Sequence, residues 1–311
     1  MILTITLNPS VDISYKSDSF NQDTVNRIAD VSKTAGGKGL NVSRVLKQLE
    51  AEVGAAGFLG GNLGDFIRSE ISLLGIYDFF TEIQGETRNC IAVIHDEKQT
   101  EILEGGPVIA KKEAELFLEK LPENLQQANV VTISGSLPKG LANDFYEKII
   151  GIANRNGTPV LLDTKGELLA QALGSGNSPY LIKPNQEELA DLLGEKLTTE
   201  RQIVEALNSI LFADIPWVVV TLGKNGALVK HNNAVYRATA PKIDAVNPVG
   251  SGDSVIAGFA AGIARHLAGE ELIKYGLSMG VLNAMQAKTG QIDPEKVDWC
   301  VRQIQVERIL K

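Results

Sequence analysis

Five apolar, β-branched runs are spaced along the chain and predict buried strands. They span residues 2–7, 130–134, 159–163, 180–183 and 217–221. A sheet with one exposed face would alternate polar and apolar positions, whereas runs such as Val218-Val219-Val220 are continuously apolar, which is typical of strands covered on both faces. Helical patterns at 39–50, 143–154 and 187–193 alternate with them. The pattern predicts an α/β fold with a central, mostly parallel sheet and helices on both faces.

Two segments depart from this alternation. Residues 14–33 and 89–103 look like short strands without intervening helices, and they predict a small β-sheet lid. No Pro/Gly/Ser-rich linker divides the sequence into halves. We therefore expect a single α/β domain over residues 1–311 that carries the lid as an insertion.

Composition and charge narrow the classes of partner. The 311 residues are 44% hydrophobic, and 38 acidic against 30 basic residues give a net charge of −8, which disfavours nucleic acid. Cys90 and Cys300 are far apart and the histidines form no ligand-spaced cluster, so neither a disulfide nor structural zinc is predicted. No signal peptide or membrane span is apparent. We expect a cytoplasmic protein with small-molecule ligands and no membrane or nucleic-acid partner.

The strongest local signal is the run Gly250-Ser251-Gly252-Asp253, which precedes an apolar helical pattern. Glycines let the backbone approach a ligand, and a helix N-terminus offers unpaired N–H groups to an anion. An Asp at this point is placed to accept a proton from a hydroxyl that attacks a phosphate. Taken alone, Asp253 is equally well interpreted as a helix N-cap. Val255 occupies the position of the third glycine in the dinucleotide fingerprint G-x-G-x-x-G, so an NAD-dependent oxidoreductase is disfavoured.

A second glycine cluster, residues 36–39, places one lysine before a helical pattern. It is not a Walker A loop, because Gly39 follows Lys38 where Ser or Thr would bind Mg²⁺. The cluster is interpreted either as a loop that binds a phosphate or as an ordinary strand-to-helix turn with a solvent-exposed lysine. Asp12 and Ser136 each follow a predicted strand, and each is an ordinary turn residue when taken alone.

Two further strand ends carry polar residues. Asn185 and Glu188 satisfy the rule for a helix-capping box, and they could alternatively lie near a hydrated Mg²⁺. The segment 221–226 looks like a hairpin turn. Because it follows a central strand, it could alternatively form one side of a nucleotide-binding site.

The order of these motifs resembles that of the PfkB, or ribokinase-like, carbohydrate kinases over nearly the whole chain. The motifs are Asp12, the loop 36–41, the turn 135–138, Asn185 with Glu188, the loop at Thr221 and the run 250–253. The resemblance implies ATP-dependent phosphorylation of a sugar hydroxyl, with Asp253 as the base and Gly250, Ser251 and Gly252 as the anion hole. Ser251 departs from the more usual alanine, a change that leaves the backbone donors intact.

The same resemblance implies roles for residues elsewhere in the chain. It places Mg²⁺ near Asn185 and Glu188, through water. It places ATP near Lys183, Asn185, Glu188, Thr221, Gly223, Gly226 and Asn283. It places the sugar hydroxyls against Asp12, Gly37, Asn41 and Ser136, and a phosphate already on the sugar against Lys38, Arg88 and Arg27.

The Gly-Gly-Lys-Gly form is similar to the branch of the family that acts on ketohexose phosphates. Within that branch, residues 85–92 and the C-terminal half are most similar to the enzymes that phosphorylate the C1 hydroxyl of tagatose 6-phosphate, with conversion of fructose 1-phosphate to the 1,6-bisphosphate as the alternative. The resemblance further implies a homodimer formed through the lids. A non-catalytic nucleotide- or sugar-binding regulator is another alternative, which Asp253 together with both glycines of its loop disfavours.

Overall fold

The computed structural model describes residues 1–96, 98–174 and 176–310, so Glu97, inside the predicted segment 89–103, lies outside the described residues. The strands are β1 (Ile2–Thr6), β2 (Ser10–Lys16), β3 (Asp30–Gly36), β4 (Val53–Leu59), β5 (Tyr77–Asp78), β6 (Thr81–Glu82), β7 (Arg88–His95), β8 (Lys98–Leu103), β9 (Val130–Ser134), β10 (Val160–Asp163), β11 (Leu181–Ile182), β12 (Trp217–Thr221), β13 (Ala227–His231), β14 (Ala234–Thr239) and β15 (Gln305–Leu310).

The helices are α1 (Lys38–Gln48), α2 (Gly61–Leu73), α3 (Lys111–Leu125), α4 (Phe145–Arg155), α5 (Gly166–Gly174), α6 (Gln186–Leu193), α7 (Glu200–Leu207), α8 (Ser251–Ala264), α9 (Gly269–Ala284) and α10 (Val297–Gln303). Short 3₁₀ turns span Ile210–Phe212, Gly223–Asn225 and Pro294–Lys296. Within the described part of the chain, no helix combines the length and the apolar character needed to cross a bilayer.

The main sheet has 11 strands in the order β15-β14-β13-β12-β11-β10-β9-β1-β4-β5, with β6 also paired to β4. Pairing is parallel from β12 through β5, and β13, β14 and β15 extend the sheet in antiparallel fashion. The predicted α/β fold with a mostly parallel central sheet is therefore confirmed. The parallel strands direct their carboxyl ends to the same edge, where ligands bind in open α/β sheets.

The continuously apolar strands are explained by a core on each face of the sheet. In β12, Trp217 and Val219 pack into one core, whereas Val218 and Val220 pack into the other. Successive strand residues point to opposite faces, so a strand covered on both sides must be apolar at every position. Each fully buried Val contributes roughly 1.5–3 kcal/mol to the free energy of unfolding.

A separate sheet of four strands, here called the small sheet, has the order β3-β2-β7-β8. Its central pair, β2 with β7, is parallel, and both edges are antiparallel. The predicted segment 14–33 is too short at both ends, because β2 begins at Ser10 and β3 ends at Gly36. Asp12 consequently lies inside β2, and its expected position directly after the first strand is wrong.

Candidate active site

Many of the residues singled out in the sequence, together with Asp163, gather at the carboxyl edge of the main sheet. Asp163 ends β10, Lys183 follows β11, and Thr221 ends β12. Helices α1 and α8 begin at the same edge, and the small sheet adds Asp12 from β2. The edge therefore combines helix N-termini, cations and carboxylates.

Asp253 lies in the first turn of α8. The N-cap of this helix is Gly250, whose φ of 79° lies in the left-handed region that favours glycine. Asp253 is thus the third helical residue, and its interpretation as the N-cap is wrong. Its side chain is 5% exposed, and its Oδ2 accepts a 2.7 Å hydrogen bond from Nδ2 of Asn41.

The surroundings of Asp253 suit a proton acceptor. Burial raises the pKa of this carboxyl from 3.8 to about 6, and the neighbouring carboxylate of Asp163 adds to the rise. Lys38, Asn41 and Lys183 act in the opposite direction by favouring the charged form. A carboxyl group whose pKa lies close to neutral pH is effective as a general base.

Asp163 joins two lysines at the site and was not singled out in the sequence. It is 1% exposed, with Oδ1 3.2 Å from Nζ of Lys183 and Oδ2 3.5 Å from Nζ of Lys38. Burial alone would raise the pKa of Asp163, but the two ammonium groups more than offset it and hold the pKa below the usual value. Asp163 in turn raises the pKa of Lys38. The ammonium of Lys183 lies beside Gly252, 3.1 Å from where a Cβ would stand.

The small sheet brings Asp12 to the loop that begins α1. Oδ1 of Asp12 accepts a 2.7 Å hydrogen bond from Oγ of Ser10, and burial raises the pKa of the Asp12 carboxyl. A Cβ on Gly36 would stand 2.0 Å from Cγ of Asp12, so only glycine leaves room for this carboxylate. Gly37 is the N-cap of α1, which carries Lys38 and Asn41. Four of the residues expected around the sugar therefore lie together.

Arg88 and Ser136 meet at Asn8. The guanidinium of Arg88 donates to the carbonyl oxygens of Glu104 at 2.9 Å and Asn8 at 3.0 Å, and its buried Nε has no protein partner among the described residues. Nδ2 of Asn8 donates to Oγ of Ser136 at 3.4 Å. Asn8 was not singled out, because it reads as an ordinary turn residue before Pro9.

Two further cations, Arg27 and Lys139, lie at different distances from Arg88. Arg27 is exposed in the segment between β2 and β3, and its side chain forms no hydrogen bond or ion pair with the described residues. Lys139 follows the turn 135–138, and its Nζ lies 3.9 Å from where a Cβ of Gly105 would stand. The neighbouring Gly106 contacts the side chain of Arg88. Lys139 was missed because a lysine in a turn is usually only solvated.

The residues expected near ATP line the other half of the edge. The predicted capping box is confirmed: Oδ1 of Asn185 accepts from N of Glu188 at 2.8 Å, and Oε2 of Glu188 accepts from N of Asn185 at 2.9 Å. Thr221 forms a parallel bridge with Asn185. The hairpin turn after Thr221, which contains Gly223 and Gly226, is also confirmed.

Asn283 supports the loop before α8 from behind. Its side chain is fully buried, its Nδ2 donates to the carbonyl of Val249 at 2.9 Å, and its Oδ1 accepts from N of Gly290 at 2.9 Å. Nδ2 also lies 3.4 Å from Oγ of Ser251. These bonds fix the backbone that leads into the first turn of α8.

The side chains at this edge fit a hydrated magnesium ion better than a dehydrated one. The described residues contain no group of three or more His, Cys, Asp or Glu side chains that could hold a metal. Glu188 uses one oxygen in the capping box, and within the described chain Oε1 has no protein partner. Its charge raises the pKa of Lys38, so the two groups lie within electrostatic range of each other. Mg²⁺ usually keeps several waters and needs few direct protein ligands.

Comparisons with known proteins agree with this geometry. A family model described as pfkB family carbohydrate kinase matches residues 5–296. A tagatose-6-phosphate kinase from Staphylococcus epidermidis is 49% identical over 307 residues, which cover 98% of this chain and 99% of that protein.

Solved structures share the whole fold. Phosphofructokinase-2 from Escherichia coli in complex with potassium gives a TM-score of 0.90 at 26% identity, and the match covers 97% of this chain and 98% of that one. A Thermotoga maritima protein described as a possible 1-phosphofructokinase gives 0.90 at 27% identity, covering 99% of each chain. Because the family model spans nearly the whole sequence, the chain belongs to the pfkB family of carbohydrate kinases, phosphotransferases that use ATP and act on a sugar hydroxyl.

Proposed function

We propose that this chain transfers the γ-phosphoryl group of ATP to the C1 hydroxyl of tagatose 6-phosphate, giving tagatose 1,6-bisphosphate and ADP. The substrate assignment is supported by the 49% identity to tagatose-6-phosphate kinase from Staphylococcus epidermidis. The observation that carries the chemistry is the buried carboxylate of Asp253 in the first turn of α8, with one oxygen bonded to Asn41.

Asp253 acts as the base in this proposal. Oδ2 is engaged by Asn41, which leaves Oδ1 to accept the proton of the attacking hydroxyl. The N–H groups of Gly252 and Asp253 belong to the first turn of α8 and lack intrahelical acceptors, so they can bind the oxygens of the transferred phosphoryl group. Gly250 and Ser251 shape this anion hole, which Asn283 holds in place.

The cations divide between the two substrates. Lys183, beside Gly252, neutralises charge on the phosphoryl group, and Thr221, Gly223 and Gly226 form the wall for the nucleotide. Glu188 and Asn185 would hold Mg²⁺ through water, where the ion would neutralise charge on the phosphates of ATP. Lys38 and Arg88, with the exposed Arg27, bind the 6-phosphate, while Asp12, Gly37, Asn41 and Ser136 bind the sugar hydroxyls.

Replacing Arg88 by lysine tests the phosphate site. We expect KM for the sugar phosphate to rise roughly 10- to 100-fold with little change in KM for ATP, because hydrogen bonds to charged groups contribute about 1.5–3 kcal/mol. Steady-state kinetics with each substrate varied in turn measures this. Lys98→Met, which removes an exposed cation from the same small sheet, serves as the control and should leave both constants unchanged. Equal rises in both constants for Arg88→Lys would contradict the assignment.

We also propose that two copies associate through their small sheets. Large apolar side chains are exposed there, including Ile102 and Leu103 on β8, which are 57% and 60% exposed, and Val31 on the opposite edge strand. The related phosphofructokinase-2 from Escherichia coli has been solved as a tetramer. We expect sedimentation velocity to show a dimer and Ile102→Lys to shift it to monomer. An unchanged sedimentation coefficient in that variant would place any association elsewhere.

A panel of acceptors separates the proposed substrate from its alternatives. ADP release would be measured with tagatose 6-phosphate, fructose 6-phosphate and fructose 1-phosphate. The first two differ only in configuration at C4, and both are phosphorylated at C1, whereas fructose 1-phosphate is phosphorylated at C6. We expect the highest kcat/KM for tagatose 6-phosphate. A higher value for fructose 1-phosphate would make the chain a 1-phosphofructokinase, and ADP release with none of them would favour a non-catalytic binding protein.

A further inference from the structure

Arg44 is a charged residue at the site that the proposed reaction does not use. It lies one helical turn after Asn41 on α1 and is partly buried. One guanidinium nitrogen donates to Oδ1 of Asn41, and another donates to the carbonyl oxygen of Ala35 near the end of β3. Arg44 therefore touches both the residue that binds the base and a strand of the small sheet.

The bond from Arg44 determines which way the amide of Asn41 faces. An arginine side chain has only donors, so it can pair only with the amide oxygen of Asn41. The amide nitrogen must then point away from Arg44, toward Oδ2 of Asp253, to which it donates at 2.7 Å. The reversed amide would turn one oxygen toward the Asp253 carboxylate and its N–H groups toward the guanidinium, losing both bonds.

A second set of contacts joins Arg44 to the anion-hole side of the site. Gly290 packs against it, since a Cβ there would stand 3.2 Å from Nε of Arg44. Nε2 of Gln48 donates to the carbonyl oxygens of both Arg44 and Gly290 at 2.9 Å. N of Gly290 donates to Asn283, which holds the loop before α8.

We propose that Arg44 is a positioning residue for the base: it orients the amide of Asn41 so that one oxygen of Asp253 is always engaged and the other stays available to the sugar hydroxyl. Through Ala35 it also fixes the end of β3 relative to this pair. The inference rests on the proposed role of Asp253 as the base. It predicts that Arg44 acts on turnover through Asn41 without touching either substrate.

The first measurement compares Arg44→Met with Arg265→Met. Arg265 is a matched control, because it also donates to one side chain, the Tyr275 hydroxyl at 2.7 Å, and to one carbonyl, that of Leu49 at 2.8 Å. We expect Arg44→Met to lower kcat about 10- to 100-fold, the loss typical of a misplaced reacting group, with KM for ATP unchanged. Arg265→Met should leave kcat within about twofold. Equal effects of the two variants would overturn the inference.

A double-mutant cycle tests whether the effect passes through Asn41. If it does, Asn41→Ala with Arg44→Met should be no more than about twofold slower than Asn41→Ala alone, because residues that act as a unit are not additive. Effects that multiply would overturn the inference. Should Arg44→Met fail to fold, Arg44→Lys, which keeps the charge but can reach fewer acceptors, replaces it in the same cycle.

The pH dependence of kcat distinguishes positioning from a merely structural role. Asp253 is faced by Asp163, Lys38 and Lys183 from the sheet edge and α1, and all three remain in the variant. Without Arg44 and the bond from an oriented Asn41, the pKa of Asp253 should rise, so the acidic limb should move to higher pH. An acidic limb at the same pH in the variant as in the parent protein would contradict the positioning role of Arg44. Normal turnover by Asp253→Asn would instead refute the proposed base itself, which separates the two failures.

Discussion

Replacement of Asp253 by asparagine should lower kcat by about 10²- to 10⁴-fold, the range that general bases contribute. Asparagine keeps the shape of the side chain but cannot take the proton from the sugar hydroxyl. The anion hole is made by the backbone of α8, and Lys183 is untouched, so the Kd for ATP should change little. Coupled ADP-release kinetics and calorimetric titration with ATP would measure the two quantities.

The same variant should be at least as stable as the parent protein. Because burial raises the pKa of Asp253 from 3.8 in the unfolded chain to about 6, the ionised form is disfavoured in the folded state. The resulting loss of folding stability is complete above about pH 6 and disappears as the pH falls below 3.8. At pH 7 the replacement by asparagine therefore removes this loss. The control Asp144→Asn, at an exposed ion pair with Lys148, should alter neither kcat nor Tm appreciably. Normal turnover by Asp253→Asn would exclude the base assignment.

Replacement of Asp163 by asparagine should have the largest effect on folding. Lys183 is 5% exposed, so the loss of its carboxylate partner would leave a buried ammonium without its nearest counter-charge, and breaking a buried pair typically costs about 3–5 kcal/mol. Turnover should fall as well, since Lys38 and Lys183 both depend on this carboxylate for their position. Urea denaturation at pH 7 measures the free energy of unfolding.

The pH dependence of this loss has a definite sign. The lysines hold the pKa of Asp163 below 3.8, so its stabilising contribution is present above that value and disappears as the pH falls through the lower pKa of the folded state. The difference in the free energy of unfolding between the parent protein and the variant should therefore be largest at pH 7 and should decrease below about pH 4. Adding Lys183→Met to Asp163→Asn should recover part of the stability, because the buried ammonium is then removed together with its partner. A further loss in the double variant would contradict this account.

The central sheet was predictable because its physical cause is local. Strands such as β12 send alternate side chains into two cores, and the resulting run of apolar residues is visible without knowing their partners. The boundaries of β2 were less visible. Only three of its seven residues are buried, and its pairing partner β7 lies far away in the sequence. Asp12 was consequently expected to lie after the first strand.

The candidate site was predictable where glycine marks a constraint on the backbone. Gly36 next to Asp12 and Gly250 at the N-cap of α8 are such positions. Asp163 could have been found, since it is a lone charge at the end of an apolar run. Arg44 could not, because a polar residue one turn after Asn41 is what any amphipathic helix would carry. Its role depends on which way an amide faces, and no sequence pattern encodes that.

The pairing of β2 with β7 also determines the order in which the chain can complete its structure during synthesis. The two strands lie close to 80 residues apart, which a ribosome adding 5–20 residues per second makes in about 4 to 16 s. Until β7 is made, the edge of β2 that it will cover stays unpaired, beside apolar residues that include Val11 and Ile13. A nascent chain of this protein therefore exposes this edge to chaperone capture or misassociation until residue 95 has emerged.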